Sequence, residues 1–166
     1  MPAEKKYILD QITAEKKLRR MALEIIENNP GAAEIILAGI RGSGTVIAKR
    51  VQEHLASFTD THTKIITISL DKKNPDTVTL SEPLDFDNKL IIVTDDVANS
   101  GRTLLYALKP FLDFHPTRIQ VLALVQRTHH HFPVHPDYVG LSIATTLQEH
   151  IQVETEGNMV TGAFLE

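Results

Sequence analysis

Ile91-Ile92-Val93-Thr94-Asp95-Asp96-Val97-Ala98-Asn99-Ser100-Gly101-Arg102-Thr103 is the stretch that decides the fold. Its opening, with Leu90, is apolar without alternation, as expected of a strand covered on both faces in a parallel sheet. The strand is expected to end at Thr94 and to deliver two adjacent carboxylates to the sheet's edge. A short loop of small and hydroxyl residues then opens a helix over residues 103–114. Small residues let backbone N–H groups point at an anion, Ser100 and Thr103 add hydroxyl donors, and the helix start adds partial positive charge. Vicinal ribose hydroxyls are donors that suit two carboxylates. A ribose 5-phosphate would satisfy both halves of the segment. The plainer reading, a helix cap at Asp95-Asp96 and an eased turn at Gly101, explains each part but not their order.

The flanks repeat the same grammar. Leu18, Met21, Ala22, Ile25 and Ile26 recur at three- and four-residue steps, predicting an amphipathic helix over residues 14–28 that Pro30-Gly31 ends. Residues 35–40 are a second fully apolar strand, and Arg41-Gly42-Ser43-Gly44 is read as a loop before a helix over residues 45–56. Strands are expected at residues 64–70 and 118–125, with weaker candidates at 77–80, 138–140 and 151–154. Strand, glycine loop, helix, strand is the pattern of an open α/β sheet, whose ligands sit at the carboxyl ends of the strands. Both glycine loops fall there. A dinucleotide-binding turn is the competing reading of the first, since Asp71 ends the next strand. Gly42-Ser43-Gly44-Thr45-Val46-Ile47, however, lacks the third small residue that fold needs for close packing.

The bulk properties fit one domain over the 166 residues. There is no cysteine, which excludes disulfides, thiolate metal sites and a cysteine nucleophile, and fits a reducing cytoplasm. The formal charge of −4 argues against a nucleic-acid-binding surface as a whole. Met1-Pro2-Ala3-Glu4-Lys5-Lys6 does not read as a leader peptide, and no apolar run approaches the roughly 20 residues that cross a bilayer.

The 91–103 segment resembles the diphosphate-sugar signature of the type I phosphoribosyltransferases. The resemblance implies an open, mostly parallel α/β sheet flanked by helices, with a small C-terminal or hood region. It implies that the substrate is 5-phosphoribosyl-1-diphosphate, with Asp95 and Asp96 as the catalytic pair on the ribose hydroxyls. Ala98, Asn99, Ser100, Gly101, Arg102 and Thr103 would hold the 5-phosphate, and Arg41, Gly42, Ser43 and Gly44 the pyrophosphate. A nitrogenous base would displace pyrophosphate at the anomeric carbon through an oxocarbenium-like transition state, which nearby carboxylates favour. Mg²⁺ would be bound mainly through the substrate diphosphate, so no dedicated protein cage is expected.

Over almost the whole chain the sequence is similar to the pyrimidine-operon attenuation regulators that are also uracil phosphoribosyltransferases. Ile8-Leu9-Asp10, Arg19-Arg20-Met21-Ala22, Ile47-Ala48-Lys49-Arg50, Val125-Gln126-Arg127 with His129, and Pro136-Asp137-Tyr138-Val139-Gly140 carry that likeness. It implies Arg127 and His129 beside the base, uracil as acceptor, UMP as product, and a homodimer or higher homo-oligomer. The departures are local. Ser69-Leu70-Asp71-Lys72-Lys73 stands where the group carries a Tyr-Arg-Asp-Asp-like run, so a lysine can supply the arginine's charge but not its fork. Ser43 stands for an arginine and Gln126 for an aspartate. Asn28, Leu141, Leu147 and His150 occupy basic positions, and Leu23 a histidine's, so RNA is expected to bind poorly. Lys16, Lys17, Arg19 and Arg20 read as a solvated helix face. A nucleotide- or phosphoribosyl-diphosphate-responsive regulator with little catalysis remains the alternative. His129-His130-His131 with His135 is read as a polar loop flanking the base rather than as a metal site.

Overall fold

A computed structural model describes residues 4–146 and 148–166 of the chain. Leu147 and the first three residues, on which two of the readings above touch, lie outside the described residues.

The chain opens with a short strand that the sequence did not announce, β1 (Lys6–Asp10), and Asp10 then caps the first helix, α1 (Gln11–Asn28). Its carboxylate accepts from Thr13 N at 2.7 Å, which starts the helix three residues before the expected position 14. β2 (Glu34–Ile40) leads into α2 (Ser43–Phe58). Ser43 and Gly44, expected in a loop, are therefore the first turn of α2. β3 (His62–Ser69) and the two-residue β4 (Thr79–Leu80) follow, and then β5 (Leu90–Ala98).

β5 outlasts its apolar run. Asp95, Val97 and Ala98 stay in register with Ala123, Val125 and Gln126 of β6 (Arg118–Arg127). The paired acids are thus strand residues, and the loop begins only at Asn99. The next helix, α3 (Arg102–Ala107), is six residues instead of the expected twelve, and a 3₁₀ turn at Lys109–Phe111 replaces its second half. Pro110 is the reason, because it has no N–H to give Tyr106 O and its ring crowds that carbonyl. The apolar spacing still works, since Leu104, Ala107 and Phe111 are all buried. β7 (Tyr138–Ile143), β8 (Ile151–Glu156) and β9 (Met159–Leu165) complete the chain.

The main sheet runs β4-β3-β2-β5-β6-β7, parallel throughout except for the antiparallel β4 edge. Ile35, Leu37 and Ile92 face α1 and α2, while Ile36, Ala38, Ile91 and Val93 face the α3 side. Both faces are covered, which is why these strands read as unbroken apolar runs. From β2 the chain winds one way to β3, and from β5 the other way to β6 and β7. The crevice beyond the carboxyl ends of β2 and β5 is therefore a topological switch point, where such sheets take their ligands. A second, antiparallel sheet, β1-β9-β8, forms the hood. It takes one strand from the start of the chain and two from the end, so it is not purely C-terminal. Among the described residues no helix is long and apolar enough to cross a membrane.

Candidate functional site

The two glycine loops meet at the switch point through backbone packing. A Cβ on Gly44 would stand 2.8 Å from Thr94 O, and one on Gly39 2.8 Å from Gly44 O. Only glycine lets α2 start this close to β5. Thr94 Oγ1 donates to Gly44 O at 2.8 Å and closes the joint.

Beyond that joint lie the acids. Asp95 is buried, with one carboxylate oxygen accepting Asp96 N at 2.9 Å and Lys72 Nζ standing 3.9 Å away. Burial, and then the adjacent Asp96 charge, push Asp95 well above the ordinary carboxylate range, against the pull of Lys72. Asp96 accepts from Val97 N at 2.8 Å and is only half-buried.

Two cavities adjoin the pair. The smaller, about 70 Å³, is lined by Asp95, Ala98, Asn99, Ser100, Gly101 and Thr103, with Lys72 across it. Gly101 takes φ 88°, and Arg102 N approaches Ser100 Oγ at 3.3 Å. The cradle owes more to loop backbone and hydroxyls than to α3, whose six residues carry little dipole. The larger cavity, about 480 Å³, shares Lys72, Val97, Asn99 and Ser100 with the smaller one. Asp96, Arg127, His129 and His131 also line it, under His150, Ile151 and Gln152 of the hood side. Arg127 is held by giving one N–H to Glu149 O at 2.6 Å.

The structure thus gathers Asp95, Asp96, Ala98, Asn99, Ser100, Gly101, Thr103, Arg127 and His129 around two cavities with a shared wall. It does not bring in Arg102, whose exposed guanidinium lies 5.9 Å over the Tyr106 ring. Arg41, Gly42, Ser43 and Gly44 line neither cavity. Arg41 is exposed, tied by its N–H to Ile68 O at 2.8 Å, and Gly42 turns the chain at φ 94°.

A model of the phosphoribosyl transferase domain matches residues 6–156 of this chain. The chain belongs to the phosphoribosyltransferase family. Relatives named Bifunctional protein PyrR agree with it along nearly their whole length. The one from Enterococcus faecalis (strain ATCC 47077 / OG1RF) is 35% identical over 161 residues, covering 92% of this chain and 90% of its own. The one from Macrococcus caseolyticus is 33% identical over 159 residues, covering 90% and 91%. Among solved structures, a hypoxanthine-guanine phosphoribosyltransferase from Bacillus anthracis superposes with a TM-score of 0.72 at 22% identity, covering 85% of this chain and 84% of that one. The hypoxanthine phosphoribosyltransferase of Trypanosoma cruzi gives 0.78 at 14% identity, covering 99% and 98%. At those identities the likeness establishes the fold, and the expected α/β architecture is borne out.

Several cavity-lining residues of this phosphoribosyltransferase escaped the sequence reading. Lys72 was seen only as a substitute charge in a divergent loop, yet it lines both cavities. His131, expected only as part of a polar loop flanking the base, lines the larger cavity itself. His150, Ile151 and Gln152 reach the cavity across the gap between the two sheets, and no local pattern in their segment announces that.

Proposed function

We propose that the chain transfers the phosphoribosyl group of 5-phosphoribosyl-1-diphosphate to a nucleobase, uracil first, giving UMP and pyrophosphate. The observation that carries this reading is a phosphate-sized cavity and a larger one that share the wall formed by Val97, Asn99 and Ser100, directly beside two acids. Uracil comes from the likeness to uracil phosphoribosyltransferases that the sequence carries, and from the placement of Arg127 and His129 at the larger cavity.

In this reading the 5-phosphate lies on the backbone and hydroxyls of residues 98–103. Asp95 and Asp96 accept the ribose hydroxyls and so fix the anomeric carbon at the mouth of the larger cavity. Their negative charge favours the positive charge that develops on the ribose as the bond to pyrophosphate breaks. Lys72 is placed to leave Asp95 for the diphosphate, while Arg127 and His129 offer donors to the base. Gly42 and Ser43 stay in the proposal through their backbone N–H groups, and Arg41 through a side chain free to turn inward. The donor set suits Mg²⁺ held mainly by the substrate, because the half-buried Asp96 carboxylate opens on the cavity where the diphosphate would lie. When bound, Mg²⁺ would neutralise the leaving pyrophosphate. The reading carries with it a cytoplasmic location and a homodimer or larger homo-oligomer.

The test is pyrophosphate release from phosphoribosyl diphosphate and Mg²⁺, with uracil, hypoxanthine, guanine, adenine and orotate in parallel. Release with uracil is the expected result. Release with another base alone would move the acceptor, and silence from all five would favour a ligand-responsive regulator.

A further inference from the structure

The connection between β6 and β7 is pinned at both ends. Thr128 N donates to Ile143 O at 3.1 Å, and Asp137 exchanges two 2.8 Å hydrogen bonds with the backbone of Val121. Between these anchors it crosses the phosphate cradle, and the N–H groups of His131 and Phe132 both donate to Ser100 O at 3.0 Å. The fit is close: a Cβ on Gly101 would stand 3.2 Å from the carbonyl oxygens of Phe132 and Val134. Val134 is buried in the same apolar cluster as Leu104 of α3. The same span presents His129 and His131 to the larger cavity. One short segment therefore borders both cavities.

His130 does not line that cavity. Its Nδ1 is 3.0 Å from Thr128 O, so Nδ1 carries the proton. Its Nε2 is buried without a partner among the described residues, and its ring lies against His135 with centroids 4.2 Å apart. A buried acceptor left bare costs stability. What the residue offers in return is the turn closed by Nδ1–H, which aims the next two N–H groups at Ser100.

We propose that residues 128–136 are a strap that positions the phosphate cradle, with His130 as its positioning residue. This rests on the phosphoribosyl-diphosphate reading of the same site. The strap ties the geometry of the cradle to occupancy of the base cavity, because both are held by one pinned segment.

The test compares the wild-type protein with His130→Leu, which keeps bulk without a donor, and His130→Asn, whose amide can replace Nδ1–H. Three quantities are read: the Kd of ribose 5-phosphate, KM for phosphoribosyl diphosphate against kcat in pyrophosphate release, and amide exchange at residues 131 and 132. His130→Leu is expected to raise Kd and KM about tenfold, the worth of one well-placed hydrogen bond, with kcat within about twofold. Exchange at the two amides should quicken, and His130→Asn should restore all three. Unchanged Kd and KM in His130→Leu, or a loss that His130→Asn does not recover, overturns the strap and leaves phosphoribosyl transfer standing. A wild-type protein that neither binds ribose 5-phosphate nor releases pyrophosphate overturns the functional reading and the strap with it.

Discussion

Asp95 is held in a place that costs the fold something. It is buried, its neighbour is a second carboxylate, and the nearest cation, Lys72, is 3.9 Å away and mostly exposed. Because its folded pKa lies well above the ordinary 3.8, the folded state binds the proton more tightly than the unfolded chain does. Stability is therefore full below the ordinary carboxylate value and falls as pH rises through the raised one. Asp95→Asn removes the charge, so it should be more stable than wild type at neutral pH by about 0.5–2 kcal/mol and unfold at a higher temperature. The gap should close toward pH 4, where wild type is protonated, and thermal melts across pH 4–8 would show it. Turnover should fall at least a hundredfold in the same variant, as expected when a group aimed at transition-state charge is lost. A variant neither stabilised nor slowed would remove Asp95 from the proposed chemistry. Lys72→Met should raise KM for phosphoribosyl diphosphate more than tenfold while leaving the melting temperature nearly unchanged, because the side chain is exposed and holds nothing else.

At the scale of elements, the start of α2 against β5 fixes the site. Alanine is the better helix former than glycine by about 1 kcal/mol, so propensity alone favours Gly44→Ala. A Cβ 2.8 Å from Thr94 O is a backbone clash, which neither strand nor helix can relieve without moving Asp95. The clash should win, with a net loss of about 1–3 kcal/mol in urea unfolding and a fall in turnover. An unchanged midpoint would mean the joint is looser than its geometry implies. The two helices on this face are also tied by Glu15, which receives Arg50 and, at 2.7 Å, His54. Burial pushes the Glu15 carboxyl up, but hydrogen bonds from Arg50 and His54 hold it below its ordinary value. Pro110 divides what the sequence suggests is one helix over residues 103–114: a missing N–H makes it a short helix and a 3₁₀ turn.

Across the whole molecule, the hood depends on β9, which lies between β1 and β8 and contributes Val160, Ala163 and Leu165 to the core under α1 and α2. A chain ending at Glu156 should lose its cooperative thermal transition, because removing a central strand exposes that core. A sharp calorimetric transition in the truncated chain would show the main sheet to be self-sufficient. The charge balance bears on RNA. Arg20 donates to Val139 O and Gly140 O at 3.0 Å and pairs with Glu24, and Arg19 lies over the Phe58 ring, so both cations are engaged within the fold. With a net charge of −4, no RNA retardation is expected at physiological salt; a nucleotide-dependent, salt-sensitive shift would restore the regulatory alternative. By itself the sequence determined the buried parallel strands, the order of acids, small residues and hydroxyls over residues 95–103, and the family, because these are contiguous patterns set by local chemistry. Only the tertiary structure decided that β5 carries the acids, that Arg41 and Arg102 stand outside the cavities, and that Lys72 and the hood side line them. Those facts depend on strand register and on contacts between segments far apart in the chain, which no local spacing encodes.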